Sequence, residues 1–397
     1  MHRLILAFVL VGAVVGASSA RAAEPVEPTR GEDLVIMLVT FSPGDDITSW
    51  FGHSALVVED RRTKDSRLYN YGEFGFDATV AFRYALGRLE FWVGERPVEH
   101  TFDIYRRQER AIQVQELALT PAERLELALF LRNNALPANR GYLYDHFTDN
   151  CATRPRDAID LVTHGRLRAN ADPGRMTLRE HTRRHTARSP VMSTLIDFVM
   201  NSDVDRPLTR WEESFLPSEL ALLVAPALVT RSWIDHEAPA RAPIPERPPH
   251  REAWMLLIGG VVAVAAVLSR RSPRALGALS AAAGVVVGGP GLVLLVMWTA
   301  TDHLVAHGNE NVLLANPLTL LSLPLGMALV FGVRRAQPAL RWLWAFLAIA
   351  SLVALGLKAL PWFDQDNWNI LALIVPMAVG LASAHRRAAL DLIQPRV

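Results

Sequence analysis

The stretch YDHFTDNCATRPRD, residues 144 to 157, decides the reading of the N-terminal half. It holds Cys151, the only cysteine in 397 residues. Asp149 or Asn150 is a good helix N-cap, and a helical apolar pattern follows through Ala152, Ile159, Leu161 and Val162. The spacing predicts Cys151 in the first turn of that helix. There the unpaired N–H groups and the helix dipole favour a thiolate. The same N–H groups can hold the oxyanion formed when sulfur attacks an acyl carbon. With no second cysteine there is no internal disulfide, so Cys151 is either a packing residue or a nucleophile.

Two stretches upstream supply what a nucleophilic cysteine needs. In SWFGHS, residues 49 to 54, His53 follows Gly52 at the start of a predicted strand and is the candidate base, with Ser54 beside it as a substrate contact. In LYNYGEF, residues 68 to 74, Asn70 is the candidate that fixes the imidazole tautomer. Tyr71 is second choice for that role, although the alternation of Tyr69 and Tyr71 also fits plain strand packing. Asn150 and Arg154 join Ser54 as candidate substrate-binding residues; Arg154 and Arg156 suit a phosphate, or equally a surface pair with Asp157 or Asp160.

Around these stretches the pattern is α+β. Strands are predicted over Leu34 to Phe41, His53 to Glu59, Arg67 to Tyr71, Glu90 to Thr101 and Ala111 to Leu119. Thr120-Pro121-Ala122-Glu123 opens a helix with a capping box and an apolar face through Leu125, Leu127, Ala128, Leu131 and Leu136. Past residue 165 the chain is dense in Arg and His and yields no clear order; its basic side fits either an anionic lipid surface or water.

The C-terminal half is written for a membrane. Five runs can span: Trp254 to Ser269, Ala275 to Ala300, Asn311 to Val333, Trp342 to Phe363 and Trp368 to Ala384. Arg270, Arg271 and Arg274 follow the first, Arg334, Arg335 and Arg341 the third, and Arg386, Arg387 and Arg396 the fifth. The intervening loops carry no Lys or Arg. This alternation places the N-terminal domain outside and the C-terminus in the cytoplasm. Residues 1 to 22 read as a signal peptide: Arg3, an apolar stretch from Leu4 to Gly16, then Ala20-Arg21-Ala22. The expected division is a signal peptide over 1–22, an outer domain over 23–237 with its core near 33–165, a proline-rich semi-rigid linker over 238–251, five spans over 252–385 and a tail over 386–397. A net charge of +1 gives no reason to expect nucleic acid. Metal binding is not expected: His181 and His185 are spaced for a helix face but surrounded by arginines, and His303 and His307 lie in a short loop.

The combined motifs resemble the Lnb-type lipoprotein N-acyltransferases. The shared pattern is Ser42-Pro43-Gly44-Asp45, Phe51-Gly52-His53-Ser54, Tyr69-Asn70-Tyr71-Gly72 with Phe74, and Tyr144-Asp145 with Asp149-Asn150-Cys151, Thr153, Arg154 and Asp157. A weaker likeness runs through Thr301-Asp302-His303 and Asn316-Pro317-Leu318. The order of histidine strand, polar orienter and Asn-Cys also resembles the permuted papain-like enzymes of the NlpC/P60 superfamily. The resemblance implies a permuted papain-like outer domain and a thioester mechanism without cofactor. In it, Cys151 takes an acyl chain from a phospholipid and passes it to the α-amino group of a diacylated lipoprotein. His53 is the base, and Asp302 and His303 touch substrate. Two readings stand against it. The same residues with water as acceptor would give a lipid hydrolase or amidase, and a membrane-anchored binding module would use His53 and Cys151 only for packing.

Overall fold

The computed structural model describes residues 30–75, 79–169 and 172–393. The expected signal peptide lies outside them. The chain forms two compact units: one runs through Arg175 and resumes over Thr209–Ala242, the other combines Met176–Leu208 with the chain from Pro243 onward. The strip Met176–Leu208, expected in the outer domain, therefore groups with the membrane helices.

The first unit is a seven-stranded antiparallel sheet with helices on it. Its strands are β1 (Leu34–Phe41), β2 (His53–Asp60), β3 (Asp65–Glu73), β4 (Glu90–Pro97), β5 (Ile112–Leu117), β6 (Gly141–Leu143) and β7 (Val229–His236), in the spatial order β6-β4-β3-β2-β1-β5-β7. Every residue of β1 is buried, which explains the apolar run from Leu34 to Val39: both faces of this interior strand are covered. Leu34, Ile36 and Leu38 face one core with Leu56, Tyr69 and Tyr71. Val35, Met37, Val39 and Phe41 face another with Ala55, Val57 and Leu68. This is the two-residue alternation of a strand.

The helices of this unit follow their local signals. After α1 (Val80–Ala85) comes α2 (Val98–Arg107), where a strand was expected to continue to Thr101. The correction has a local cause: Pro97 has no N–H for the next rung of the ladder, Glu99 suits a helix first turn, and Arg106 and Arg107 suit a last turn. α3 (Pro121–Ala135) starts at Thr120 with the capping box read from the sequence. It packs Leu127, Ala128 and Leu131 against the core that also takes Ala158, Ile159 and Val162 of α4 (Thr153–Val162).

The second unit holds α5 (Leu178–His185) and α6 (Pro190–Val199), while α7 (Arg210–Glu213) and α8 (Pro217–Leu228) return to the first. The apolar helices are α9 (Glu252–Ser269), α10 (Pro273–Ala300), α11 (Asn311–Leu314) with α12 (Ser322–Val330), α13 (Ala336–Leu357) and α14 (Trp368–Ile393). They supply five candidate membrane spans, as expected, with two differences of detail. The third is two helices joined by a 3₁₀ turn at Pro317–Leu321; Pro317 lacks an N–H and the Asn316 side chain takes the N–H of Leu318 instead, at 3.0 Å. The fourth lies six residues earlier than the hydropathy suggested, because Ala336–Arg341 continues the helix despite its charge. Small residues let the helices meet closely: a Cβ on Gly277 of α10 would stand 2.5 Å from the carbonyl oxygen of Gly326 on α12.

α5 and α6 are tied within this unit by a buried polar network. Arg179 is fully buried and bonds Asp197 at 3.0 Å and Asp205 at 2.5 Å. Arg183 bonds Asp197 at 3.0 Å and Asp366 at 2.5 Å. Asp197 also accepts from the side-chain amide of Asn369, at 2.6 Å. Asp366 is thus an anchor for Arg183. Lys358 is buried against Glu310.

Candidate active site

His53 opens β2 and pairs in register with Phe41, the last residue of β1. Its ring lies nearly parallel to the stacked Phe41 and Tyr105 rings and beside them, 6.1 Å from the first and 6.2 Å from that of Tyr105 on α2. Its Nε2 meets Oδ1 of Asn70 on β3. An amide oxygen only accepts, so Nε2 carries the proton and Nδ1 keeps its lone pair. That is the state a general base requires.

Cys151 and His53 both lie close to Gly72. β3 is bulged between Tyr71 and Glu73, and Gly72 has φ +106°, a conformation other residues rarely adopt. A Cβ at Gly72 would lie 3.8 Å from His53 Cε1 and 3.9 Å from Cys151 Cβ. Imidazole and cysteine therefore border one small volume, kept clear by the missing side chain.

The start of α4 fixes the cysteine. Asn150 Oδ1 accepts from the N–H groups of Ala152 at 2.7 Å and Thr153 at 3.0 Å, while Thr153 Oγ1 accepts from the N–H of Asn150 at 2.8 Å. Regular helix begins at Thr153. Asn150 thus closes the turn that leads into α4, and Cys151 sits in that turn, two residues ahead of the helix in whose first turn the sequence placed it. The Asn150 amide also donates to the carbonyls of His146 at 2.8 Å and Phe215 at 3.1 Å, so its side chain is occupied by the fold. Before it, Asp145 Oδ1 takes the N–H groups of Phe147 and Thr148, closing the turn that delivers the cysteine.

Burial dominates the electrostatics. The Cys151 thiol is pushed up to about 11 by desolvation, with the N–H of Ser54, its own N–H and Arg110 pulling the other way. His53 is pulled down to about 4, also by desolvation first, against the Asn70 hydrogen bond. Both groups are neutral at neutral pH. The thiolate expected from the helix start is not the resting state, because desolvation outweighs the N–H groups here.

The other expected residues fall as follows. Tyr71 points to the opposite face from Asn70, within the core of Leu34 and Ile36, and its hydroxyl donates to Asn134 Oδ1 at 2.8 Å. Strand alternation thus separates it from the imidazole. Ser54 is fully buried and its Oγ has no hydrogen-bond partner. Arg154 forks onto Asp149 at 2.5 and 2.8 Å and lies 4.0 Å over the Tyr142 ring. Arg156 pairs with Asp157 and lies over Trp211. Arg156 thus has the expected Asp157 partner but is buried, whereas Arg154 pairs with Asp149, a partner the sequence reading did not name. Asp302 and His303 belong to the second unit, after α10. Sequence reasoning missed Tyr105 and Arg110. Tyr105 stacks on Phe41 at 3.6 Å and Arg110 lies 4.5 Å over Tyr105. Nothing in YRRQERAI, residues 105 to 112, sets them apart from an ordinary charged helix end.

Two family models match the chain. The Lnb N-terminal periplasmic domain matches residues 26–184, and the Lnb transmembrane domain matches residues 247–385. No curated protein and no solved structure matches. The two matches occur in the order of the two halves read above and together cover the chain apart from residues 1–25, 185–246 and 386–397, so the chain belongs to the Lnb family, inner-membrane proteins with a periplasmic domain followed by a five-helix membrane domain.

Proposed function

We propose that this protein is a cysteine-dependent acyltransferase that moves an acyl chain from a phospholipid to an amine, the N-terminus of a diacylated lipoprotein. The observation that carries the reading is the His53–Asn70 pair, which leaves Nδ1 free, bordering the same glycine-lined volume as Cys151. In the first half-reaction Nδ1 takes the thiol proton as sulfur bonds the ester carbonyl carbon. The tetrahedral oxyanion collapses, the ester C–O bond breaks, and the leaving lysophospholipid hydroxyl receives the proton. In the second, the amine attacks the thioester, its proton passes to His53, and sulfur leaves to recover the thiol. The N–H groups of Ser54 and Cys151 that face the sulfur are the donors nearest the oxyanion.

The neutral resting pair suits this chemistry. A desolvated thiol acquires charge only as its proton moves, and a poorly hydrated site favours an amine carried in by a lipid over bulk water as acceptor. Five membrane helices keep the domain at the source of both lipids. The arginines after the first, third and fifth spans support a cytoplasmic C-terminus. The succession of histidine strand, Asn70 strand and cysteine helix supports a papain-like relationship.

The test is intact mass in phospholipid micelles, wild type beside Cys151→Ala. A gain of one acyl chain on the wild type alone, released by neutral hydroxylamine, is expected. With a diacylated lipopeptide added, an amide product supports transfer, and free fatty acid with no amide points to the hydrolase. No adduct on either protein overturns the thioester mechanism.

A further inference from the structure

Arg110 is a buried cation that the fold leaves without a counter-ion. It is 5% exposed, and its Nε donates to the carbonyl of Ser42 at 2.6 Å. Its Nη2 is buried with no hydrogen-bond partner, and among the described residues Arg110 takes part in no ion pair. The acidic side chain closest in kind, Asp45 of the Ser42–Asp45 loop, is already held by Arg241 through two bonds of 2.9 Å. A buried guanidinium with an unused donor is costly, and a protein keeps one where an anion arrives.

Its position says which anion. The guanidinium lies 4.5 Å over Tyr105, whose ring is in turn 6.2 Å from that of His53. Tyr105 is thus a neighbour of both the guanidinium and the imidazole, and the Arg110 charge is felt at His53 and Cys151. Arg154 and Arg156, the other arginines near Cys151 in sequence, are committed to Asp149 and Asp157. Of the two proposed substrates, the acceptor brings an amine, which a guanidinium repels. The donor brings a phosphodiester monoanion only a few bonds from its scissile ester. A planar guanidinium matches phosphate oxygens in a way a point charge does not.

We infer that Arg110 is the phosphate receptor of the acyl-donor subsite, placing the donor's phosphodiester so that its ester carbonyl meets Cys151. This rests on the acyltransferase reading for the identity of the ester, but the subsite itself can be read without catalysis. Donor entry requires a shift of the side chains that cover Nη2, and the phosphodiester then supplies the missing partner. The consequence is selectivity: phospholipids serve as donors in preference to diacylglycerols with the same chains.

The closing experiment has two arms. In the first, Cys151→Ala binds a short-chain phosphatidylethanolamine or the matching diacylglycerol, read by native mass spectrometry, with and without Arg110→Gln. The preference for phospholipid is expected to fall about tenfold or more on substitution. Arg110→Lys, which keeps the charge but not the fork, should recover part of it. An unchanged preference, or equal loss of both ligands, overturns the phosphate receptor. In the second arm, thioester formation is followed with the same two donors on proteins that retain Cys151. Collapse of the phospholipid preference in Arg110→Gln is expected. An equal drop with both donors would make Arg110 an oxyanion or packing residue instead. Absence of any thioester in the wild type counts against the acyltransferase reading, and leaves the binding arm to decide the subsite.

Discussion

His53 and Asn70 stand on adjacent antiparallel strands, and the amide oxygen of one takes the Nε2 proton of the other. This single contact sets the tautomer and the ring direction together. Asn70→Ala should lower the rate of thioester formation roughly 10- to 100-fold with little change in lipid affinity. Asn70→Asp is more telling. A carboxylate on Nε2 favours the imidazolium and lifts His53 above its value of about 4. The base must be unprotonated to act, so the acid limb of the pH–rate profile should move to higher pH. An unmoved limb would take Asn70 away from the imidazole.

The thiol offers a second pH test. With Cys151 pushed up to about 11, the thiolate is a small fraction at neutral pH and grows about tenfold per pH unit. Iodoacetamide alkylation in lipid-free detergent should rise continuously from about pH 7 to about pH 10. A plateau already reached near neutrality would show a resting ion pair, contrary to the neutral pair that desolvation favours.

Gly72 separates fold from access. Gly72→Ala places a methyl beside both His53 and Cys151 and forces a positive φ on a residue with a Cβ. A stability loss of about 1 kcal/mol or more is expected by thermal unfolding. Gly72→Val fills the volume between base and nucleophile as well, so acyl transfer should fail even at temperatures where the protein stays folded. Full activity in Gly72→Val would mean that the ester approaches from elsewhere.

Tyr71 gives the opposite separation. Its hydroxyl bonds Asn134, on the far side of β3 from Asn70. Tyr71→Phe is expected to cost about 1 kcal/mol of stability and to leave the pH–rate profile where it was. A shifted profile would return Tyr71 to the catalytic group.

In the second unit, Asp197 joins Arg179, Arg183 and Asn369. Asp197→Ala leaves two covered guanidinium groups short of charge, a loss of about 3–5 kcal/mol. Limited proteolysis in detergent should then cut between α5 and α6, where the wild type resists. Equal resistance of the two proteins would show that the network is dispensable.

The site was legible where chemistry and local spacing coincide. Asn150 before Cys151 declared a helix start, and Asn70 is the partner His53 has. Five apolar runs declared five spans. What could not be read depends on distance in the chain. Tyr71 and Asn70 are neighbours whose opposite fates follow from strand alternation combined with which face meets the cysteine. The thiol's upward shift comes from desolvation in the folded chain, which outweighs the N–H of Ser54 and the charge of Arg110 and which no local motif reports. Arg110 looked like one more charge after α2. The Arg- and His-rich run after residue 165 read as a face for anionic lipid or for water, because the aspartates that pair with Arg179 and Arg183 lie up to the start of α14.

The strip Met176–Leu208 has one further consequence. Where the chain departs from the first unit and where it re-enters, the backbone is already closed: Pro173 bridges Thr209, and the N–H of Arg210 bonds the carbonyl of Asp172 at 2.9 Å. The excursion is therefore an insertion between two points that touch. A water-soluble fragment made by stopping ahead of the first span would retain Arg179 and Asp197 without Asp366 and Asn369, and would invite aggregation. Excising Met176–Leu208 and joining Arg175 to Thr209 by a short turn, with the end of the fragment after β7, leaves all seven strands and the cysteine helix in place.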